Sequence, residues 1–321
     1  MPDPADILTV TLNPALDIAT AADHVRAGPK LRCDPPAIDP GGGGVNVARV
    51  IRRLGTPVRA LVAVAGPNGE RLVTLMRAEK VETLTLPAPA ETRLGIAVTD
   101  RATGGQFRFA FPGPAWTKRR AAALPRIVAE AARPGGFVVL SGSQPPGFDA
   151  DFPERMARAL ARRGARLIID TSGPALARLA ETPPDGRARP HVLRMDSGEA
   201  EALAGRPLPD RADTAGFAQD LARRGAAEIV VVARGADGST LATATERIHA
   251  AGAPVPVVSK VGAGDSFVGA FTRALARGAT PARALQEGSA AASAAVTTPA
   301  TELCRPRDMR RLLRDCALCR V

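Results

Sequence analysis

Short apolar, β-branched runs recur at residues 7–12, 58–64, 137–140, 167–170 and 229–232, with helix-length stretches between them. Runs without polar alternation suit buried strands, and their alternation with helical patterns predicts an α/β fold with a mostly parallel sheet. Two stretches break the rule. Residues 93–100 and 106–112, joined by 102–105, read as a hairpin in which Phe107, Phe109 and Phe111 alternate with Arg108 and Ala110. One face of that hairpin is apolar and the other is not. Its expected partner is the irregular segment 18–38, and together they predict a small discontinuous lid inserted in a single domain spanning 1–321.

With 321 residues, 45% hydrophobic and 23% charged, the chain is apolar enough for one large core, which excludes disorder. The net charge of +11 comes almost wholly from arginines scattered along the chain. Aromatics are 3% and tyrosine is absent, so the stacking residues of a nucleic-acid binder are missing and phosphorylated small molecules suit the charge as well. No apolar run approaches the roughly 20 residues of a membrane span, and Asp3 and Asp6 stand where a signal peptide would be basic. A cytoplasmic location is expected. Four cysteines are too few for a disulfide scaffold, and the CxxC of Cys316 and Cys319 falls on a short helical pattern near the C-terminus, not after a strand. The proline-rich stretch 183–190 reads as a surface loop.

Two glycine-rich segments carry candidate chemistry. Gly41-Gly42-Gly43-Gly44-Val45-Asn46-Val47-Ala48-Arg49 opens a helix whose apolar face is Val47, Val50, Ile51 and Leu54, with Gly55 as its stop. Asn46 then sits in the first turn beside exposed N–H groups, where a polyol or a phosphate could be gripped; a flexible turn is the alternative. The second segment, Val261-Gly262-Ala263-Gly264-Asp265-Ser266-Phe267, opens a helix stopped by Gly278. Its backbone N–H groups and the positive helix end form a cradle for a transferring phosphoryl group, and the same dipole is expected to keep Asp265 ionised and able to accept a hydroxyl proton. An ordinary N-cap would look the same. Neither segment matches the P-loop or the dinucleotide fingerprint.

Together these segments resemble the two motifs of the ribokinase-like (PfkB) carbohydrate kinases, and in particular their 6-phosphofructokinase isozyme 2 branch. The resemblance extends to Thr11–Asp17 (TLNPALD), Gly28–Cys33 (GPKLRC), Thr92–Gly95 (TRLG) and Ser141–Gly147 (SGSQPPG), in order along nearly the whole chain. It implies a three-layer α/β/α core with a β lid that closes over the sugar and mediates a homodimer. It further implies Asp265 as the base toward the sugar hydroxyl, with Gly262, Ala263 and Gly264 as the anion hole. Asp17, Gly42, Gly43, Asn46 and Ser141 match sugar-binding positions, and Lys30, Arg32 and Arg93 match the basic positions near a sugar's phosphate.

On the nucleotide side the resemblance carries departures. Where relatives show lysine and then Asn-x-x-Glu, this chain has Arg194, Asp196 and Glu199, with Glu199 acting on Mg2+ through its water shell. Gly235 and Gly238 match a nucleotide-phosphate loop in which Ala233 replaces a hydroxyl residue. Lys260 stands where threonine is usual, and the expectation is that it pairs with Glu302 and takes the place of a monovalent cation. The implied activity is phosphorylation of the 1-hydroxyl of fructose 6-phosphate by ATP with Mg2+. Tagatose-6-phosphate kinase and 1-phosphofructokinase are the sibling alternatives, and a catalytically weakened sugar-phosphate or nucleotide sensor is the alternative of another class.

Overall fold

A computed structural model describes residues 5–181, 189–299 and 302–321; most of the expected 183–190 loop lies outside them. The chain opens with β1 (Ile7–Thr11), β2 (Ala15–Ala22), β3 (Ala37–Gly41), α1 (Gly43–Arg53), β4 (Arg59–Val64), α2 (Gly66–Ala78) and β5 (Glu82–Pro87). The hairpin follows as β6 (Arg93–Asp100) and β7 (Gln106–Ala110). Helices and strands then alternate through α3 (Lys118–Ala131), β8 (Phe137–Ser141), α4 (Phe152–Arg163), β9 (Arg166–Asp170), α5 (Gly173–Glu181) and β10 (Val192–Asp196). Next come α6 (Ser197–Ala204), α7 (Arg211–Arg223), β11 (Ile229–Ala233), β12 (Gly238–Ala242) and β13 (Arg247–Ala251). The chain closes with α8 (Ala263–Ala276), α9 (Pro281–Ala295), α10 (Pro306–Leu312) and β14 (Leu318–Arg320).

Ten strands form the main sheet in the order β14-β13-β12-β11-β10-β9-β8-β1-β4-β5. Neighbours from β11 to β5 run parallel, and β12, β13 and β14 add antiparallel at one edge. Adjacent residues of one strand serve opposite faces. Leu8 and Val10 of β1 join a core with Leu124, Phe152, Met156 and Leu160, whereas Ile7 joins Val47, Ile51, Phe267 and Phe271. Helices α3 and α4 therefore cover one face and α1 and α8 the other, which gives the three layers expected. Each such fully buried side chain contributes about 1.5–3 kcal/mol.

Strand β1 sits between β8 and β4, so the chain order reverses there and a crevice opens at the carboxyl ends of the parallel strands, the usual ligand position in such sheets. Over this crevice lies the second sheet, β3-β2-β6-β7. The segment expected as irregular contributes β2 and β3, and β2 begins earlier than anticipated, at Ala15, so that Asp17 is a strand residue. Register sets Asp17 opposite Gly95, Gly95 opposite Ala110, and Ala97 opposite Arg108, on one face of this sheet. The other face carries Ile18, Ile96, Phe107 and Phe109, and the three phenylalanines of the hairpin strand and its exit stay 43–51% exposed.

The C-terminus departs from the sequence reading. The helix stops at Leu312, Cys316 is buried, and Cys319 lies exposed on β14, where it pairs with His249 across the sheet edge. The peptide hydrogen bonds offered by β13 outcompete one further helical turn. Burial pushes the thiols of Cys304 and Cys316 up to about 11, which leaves both as protonated core residues. Among the described residues, no helix is long and apolar enough to cross a membrane.

Candidate active site

A cleft of about 520 Å³ lies between the two sheets, walled by lid residues Asp17, Arg93 and Arg108 and by the N-termini of α1 and α8. Helix α1 starts here because the chain must pass very close to β8: a Cβ on Gly43 would sit 2.7 Å from the backbone nitrogen of Gly142. Only glycine allows that approach. Helix α8 starts from Gly262, whose φ of 77° lies in the left-handed region, so it is Gly262 and not Asp265 that occupies the N-cap position. Asp265 is the third helical residue and projects into the cleft with Gly262 and Lys260.

The amide nitrogen of Asn46 donates to Asp265 Oδ2 at 2.9 Å. That amide is itself oriented from below by Arg49, one turn further along α1, which donates to Asn46 Oδ1 at 3.3 Å. Arg49 is 2% exposed and also donates to Glu79 at 2.7 Å, to Asp39 at 3.0 Å and to the carbonyl of Pro40 at 3.0 Å. Its fork uses Asn46's oxygen and leaves the NH2 for Asp265. Although the helix dipole and Asn46 favour the carboxylate, burial pushes the Asp265 carboxyl up to about 7, and the nearby Asp170 and Asp17 add to the effect. The expectation of a simply ionised aspartate is corrected: desolvation outweighs the dipole, and the group titrates near neutrality.

At the lid end, burial raises the Asp17 carboxyl above its ordinary range, opposed by the charges of Arg93 and Arg108. Arg93 is fixed by Asn13, donating to its side-chain oxygen at 3.2 Å and its carbonyl at 3.3 Å. Gly42 and Gly43 line the same cleft, and Gly142 lines it in place of Ser141, which is buried and donates to Asp170 Oδ2 at 3.2 Å. Lys30 and Arg32 do not reach the cleft in this chain. Both lie exposed in the loop between β2 and β3, because the turn of the lid carries them outward. Sequence reasoning missed Arg108, Asn13, Arg49 and Asp170. Arg108 was visible only as the polar residue alternating with the phenylalanines, and Arg49 only as the i+3 neighbour of Asn46.

Beyond α8 the nucleotide candidates form a separate group. Arg194 donates to Asp170 at 3.1 Å, and its guanidinium lies under Gly264, 3.3 Å from where a Cβ would be. Its Nε is buried without a hydrogen-bond partner among the described residues. Asp196 caps α6 by accepting from the Glu199 N–H at 2.9 Å, and the Glu199 carboxylate in turn accepts from the Asp196 N–H at 2.9 Å. Burial raises the Glu199 carboxyl, and the charges of Asp196 and Asp170 add to that. Among the described residues no three acidic or His/Cys side chains converge as a direct metal cage. The crowded carboxylates nevertheless fit a hydrated Mg2+, a hard cation that keeps its waters.

Glu199 does not face the Asp265 cleft; it borders a second hollow with Leu203 and Phe217. Gly235 and Gly238 also lie outside the Asp265 cleft, in the turn from β11 to β12. That turn is pinned by Asp237, held well below the usual carboxylate range chiefly by its hydrogen bond from Arg211 and further by Arg234. The expected pair of Lys260 and Glu302 is overturned. Glu302 is held by Arg305 three residues on, at 2.7 and 3.0 Å, and Lys260 turns instead to the cleft.

The sequence and the fold of this chain are similar to those of known proteins. The sequence model of the pfkB family carbohydrate kinases matches residues 11–308. The chain belongs to that family. As a carbohydrate kinase it is a phosphotransferase with an alcohol acceptor, and ATP and Mg2+ are the family's donor and metal. It is 37% identical over 305 residues to an ATP-dependent 6-phosphofructokinase isozyme 2 of Mycobacterium tuberculosis, covering 95% of this chain and 88% of that one. A 1-phosphofructokinase of Haloferax volcanii is 32% identical, covering 92% and 93%. The fold of this carbohydrate kinase matches the crystal structure of phosphofructokinase-2 from Escherichia coli in complex with fructose-6-phosphate at a TM-score of 0.88 and 34% identity, over 97% and 98% of the two chains.

Proposed function

We propose that this carbohydrate kinase transfers the γ-phosphoryl of ATP to the 1-hydroxyl of fructose 6-phosphate, forming fructose 1,6-bisphosphate and ADP in the cytoplasm. The observation that carries the reading is the shared cleft: Asp265 and the α8 N-terminus at one end, and Arg93 and Arg108 around Asp17 at the other. A phosphosugar spans such a site naturally, since its phosphate answers the positive charge of Arg93 and Arg108 in a way that a neutral sugar cannot.

Asp17 and Asn46 hold hydroxyls, the carboxylate accepting and the amide donating through the N–H not given to Asp265. Asp265 takes the proton of the 1-hydroxyl as its oxygen bonds to the γ-phosphorus and the bond from that phosphorus to the ADP oxygen breaks. With a carboxyl titrating at about 7, Asp265 is ionised in about half the molecules at neutral pH and is well matched as a general base. The N–H groups of the Gly262–Gly264 turn face the charge that develops on the phosphoryl, and Arg194 adds a fixed cation beneath them. Mg2+, when bound with the nucleotide, screens the phosphate charges; Glu199 and Asp196 would hold its waters.

The exposed Phe107, Phe109 and Phe111 support a homodimer formed through the lid. ADP release with MgATP against fructose 6-phosphate, tagatose 6-phosphate and fructose 1-phosphate tests the substrate, with Asp265→Ala as control. The highest kcat/KM on fructose 6-phosphate, lost in the variant, is the expected result. Preference for another sugar phosphate overturns the assignment of substrate and keeps the chemistry.

A further inference from the structure

The cleft holds three cations, and their surroundings differ. Arg93 donates to Asn13 and to the carbonyl of Phe111, and with Arg108 it faces Asp17 at the lid end. Lys260 lies at the other end, two residues before the N-cap of α8, in the lining that also contains Gly262 and Asp265. It is exposed, and among the described residues it has no ion pair, since Glu302 belongs to Arg305. Arg194, the other cation near the turn, is bound to Asp170. The phosphoryl cradle is thus built from backbone donors with one charge beside it that has no ion pair among the described residues.

We propose that Lys260 is a catalytic residue whose ammonium contacts the phosphoryl group in transfer. The inference rests on the kinase reading above. A lysine ammonium is a compact point charge on a four-carbon stem, which can follow the phosphoryl oxygens from donor to acceptor while the guanidinium of Arg194 stays in place. Charge in this transition state spreads over three equatorial oxygens, more than the Gly262–Gly264 N–H groups alone can face.

The test compares wild type, Lys260→Met and Lys260→Arg in steady-state kinetics with MgATP and the three sugar phosphates. Loss of at least tenfold in kcat for Lys260→Met is expected, with the sugar KM within about twofold, an unchanged pH midpoint, and substantial recovery in Lys260→Arg. Because the side chain is exposed, the thermal midpoint should stay put, which separates this from a folding defect. Retained kcat in Lys260→Met overturns the proposal, as does a loss confined to the sugar-phosphate KM, which would make Lys260 an anchor for the substrate's own phosphate. Wild type without turnover on any sugar overturns the kinase reading itself; an MgATP dissociation constant unchanged in Lys260→Met would then overturn the role of Lys260 separately.

Discussion

Replacing Asn46 by alanine removes the 2.9 Å hydrogen bond that favours the ionised form of Asp265. A hydrogen bond to a charged group contributes about 1.5–3 kcal/mol, and one pKa unit corresponds to about 1.4 kcal/mol, so the carboxyl should rise by about one unit or more from its value of about 7. With a one-unit rise, the ionised fraction at pH 7 falls from about a half to about a tenth, whereas at pH 9 it stays above about nine-tenths in both proteins. The lost sugar contact adds a factor independent of pH. The assay is kcat/KM from pH 6 to 9, with the ratio of wild type to Asn46→Ala as the readout. Substrate phosphate titration, near pH 6, cancels in that ratio. The ratio should be about fivefold larger at pH 7 than at pH 9. A ratio that is flat with pH, or an acidic limb moving to lower pH in the variant, would refute the account of what sets the base.

Folding raises the Asp265 carboxyl from 3.8 to about 7, so its ionised form is disfavoured in the native state; stability is fully present below pH 3.8 and lost as pH rises through 7. Asp265→Asn should therefore be inactive yet more stable than wild type, by up to about 4 kcal/mol at pH 8 and roughly 2–3 kcal/mol less than that at pH 5, read from urea unfolding. A gain equal at both pH values would contradict it. Arg49→Met should cost about 3 kcal/mol of stability, because the Pro40 carbonyl loses its donor and the buried network with Glu79 is broken; a cost below about 1 kcal/mol would show that the network is dispensable. Charging the lid, with Phe107 and Phe109 both changed to arginine, should halve the mass seen by light scattering if the exposed apolar face joins two copies. An unchanged mass would move the interface elsewhere.

Much of the scaffold was legible locally. Continuous apolar runs marked β1, β4, β8, β9 and β11, because a strand covered by helices on both faces cannot carry polar alternation. The hairpin of β6 and β7 was readable from its alternation and its Gly-containing turn. The antiparallel edge of β12, β13 and β14 was not, since those strands carry no continuous β-branched run and their hydrogen-bond partners are set by position in the sheet. Nothing in the spacing of Cys316 and Cys319 distinguishes a helical turn from an edge strand until β13 is there to pair with.

The amino-acid sequence by itself determined the two glycine-opened helices and the residue types at their starts, because backbone conformation at Gly262 and close approach at Gly43 are demands that few other residues meet. Tertiary structure decided which charges meet. Only the fold brings Asn46 to Asp265 across more than two hundred residues, sets Asp170 against Arg194, and carries Lys30 and Arg32 away from the cleft while turning Lys260 toward it. The physical reason is range. Dihedral preference and hydrophobic period act over a few residues, whereas desolvation and the pairing of charges depend on which surfaces the completed core presses together, and those set the proton affinity of the base.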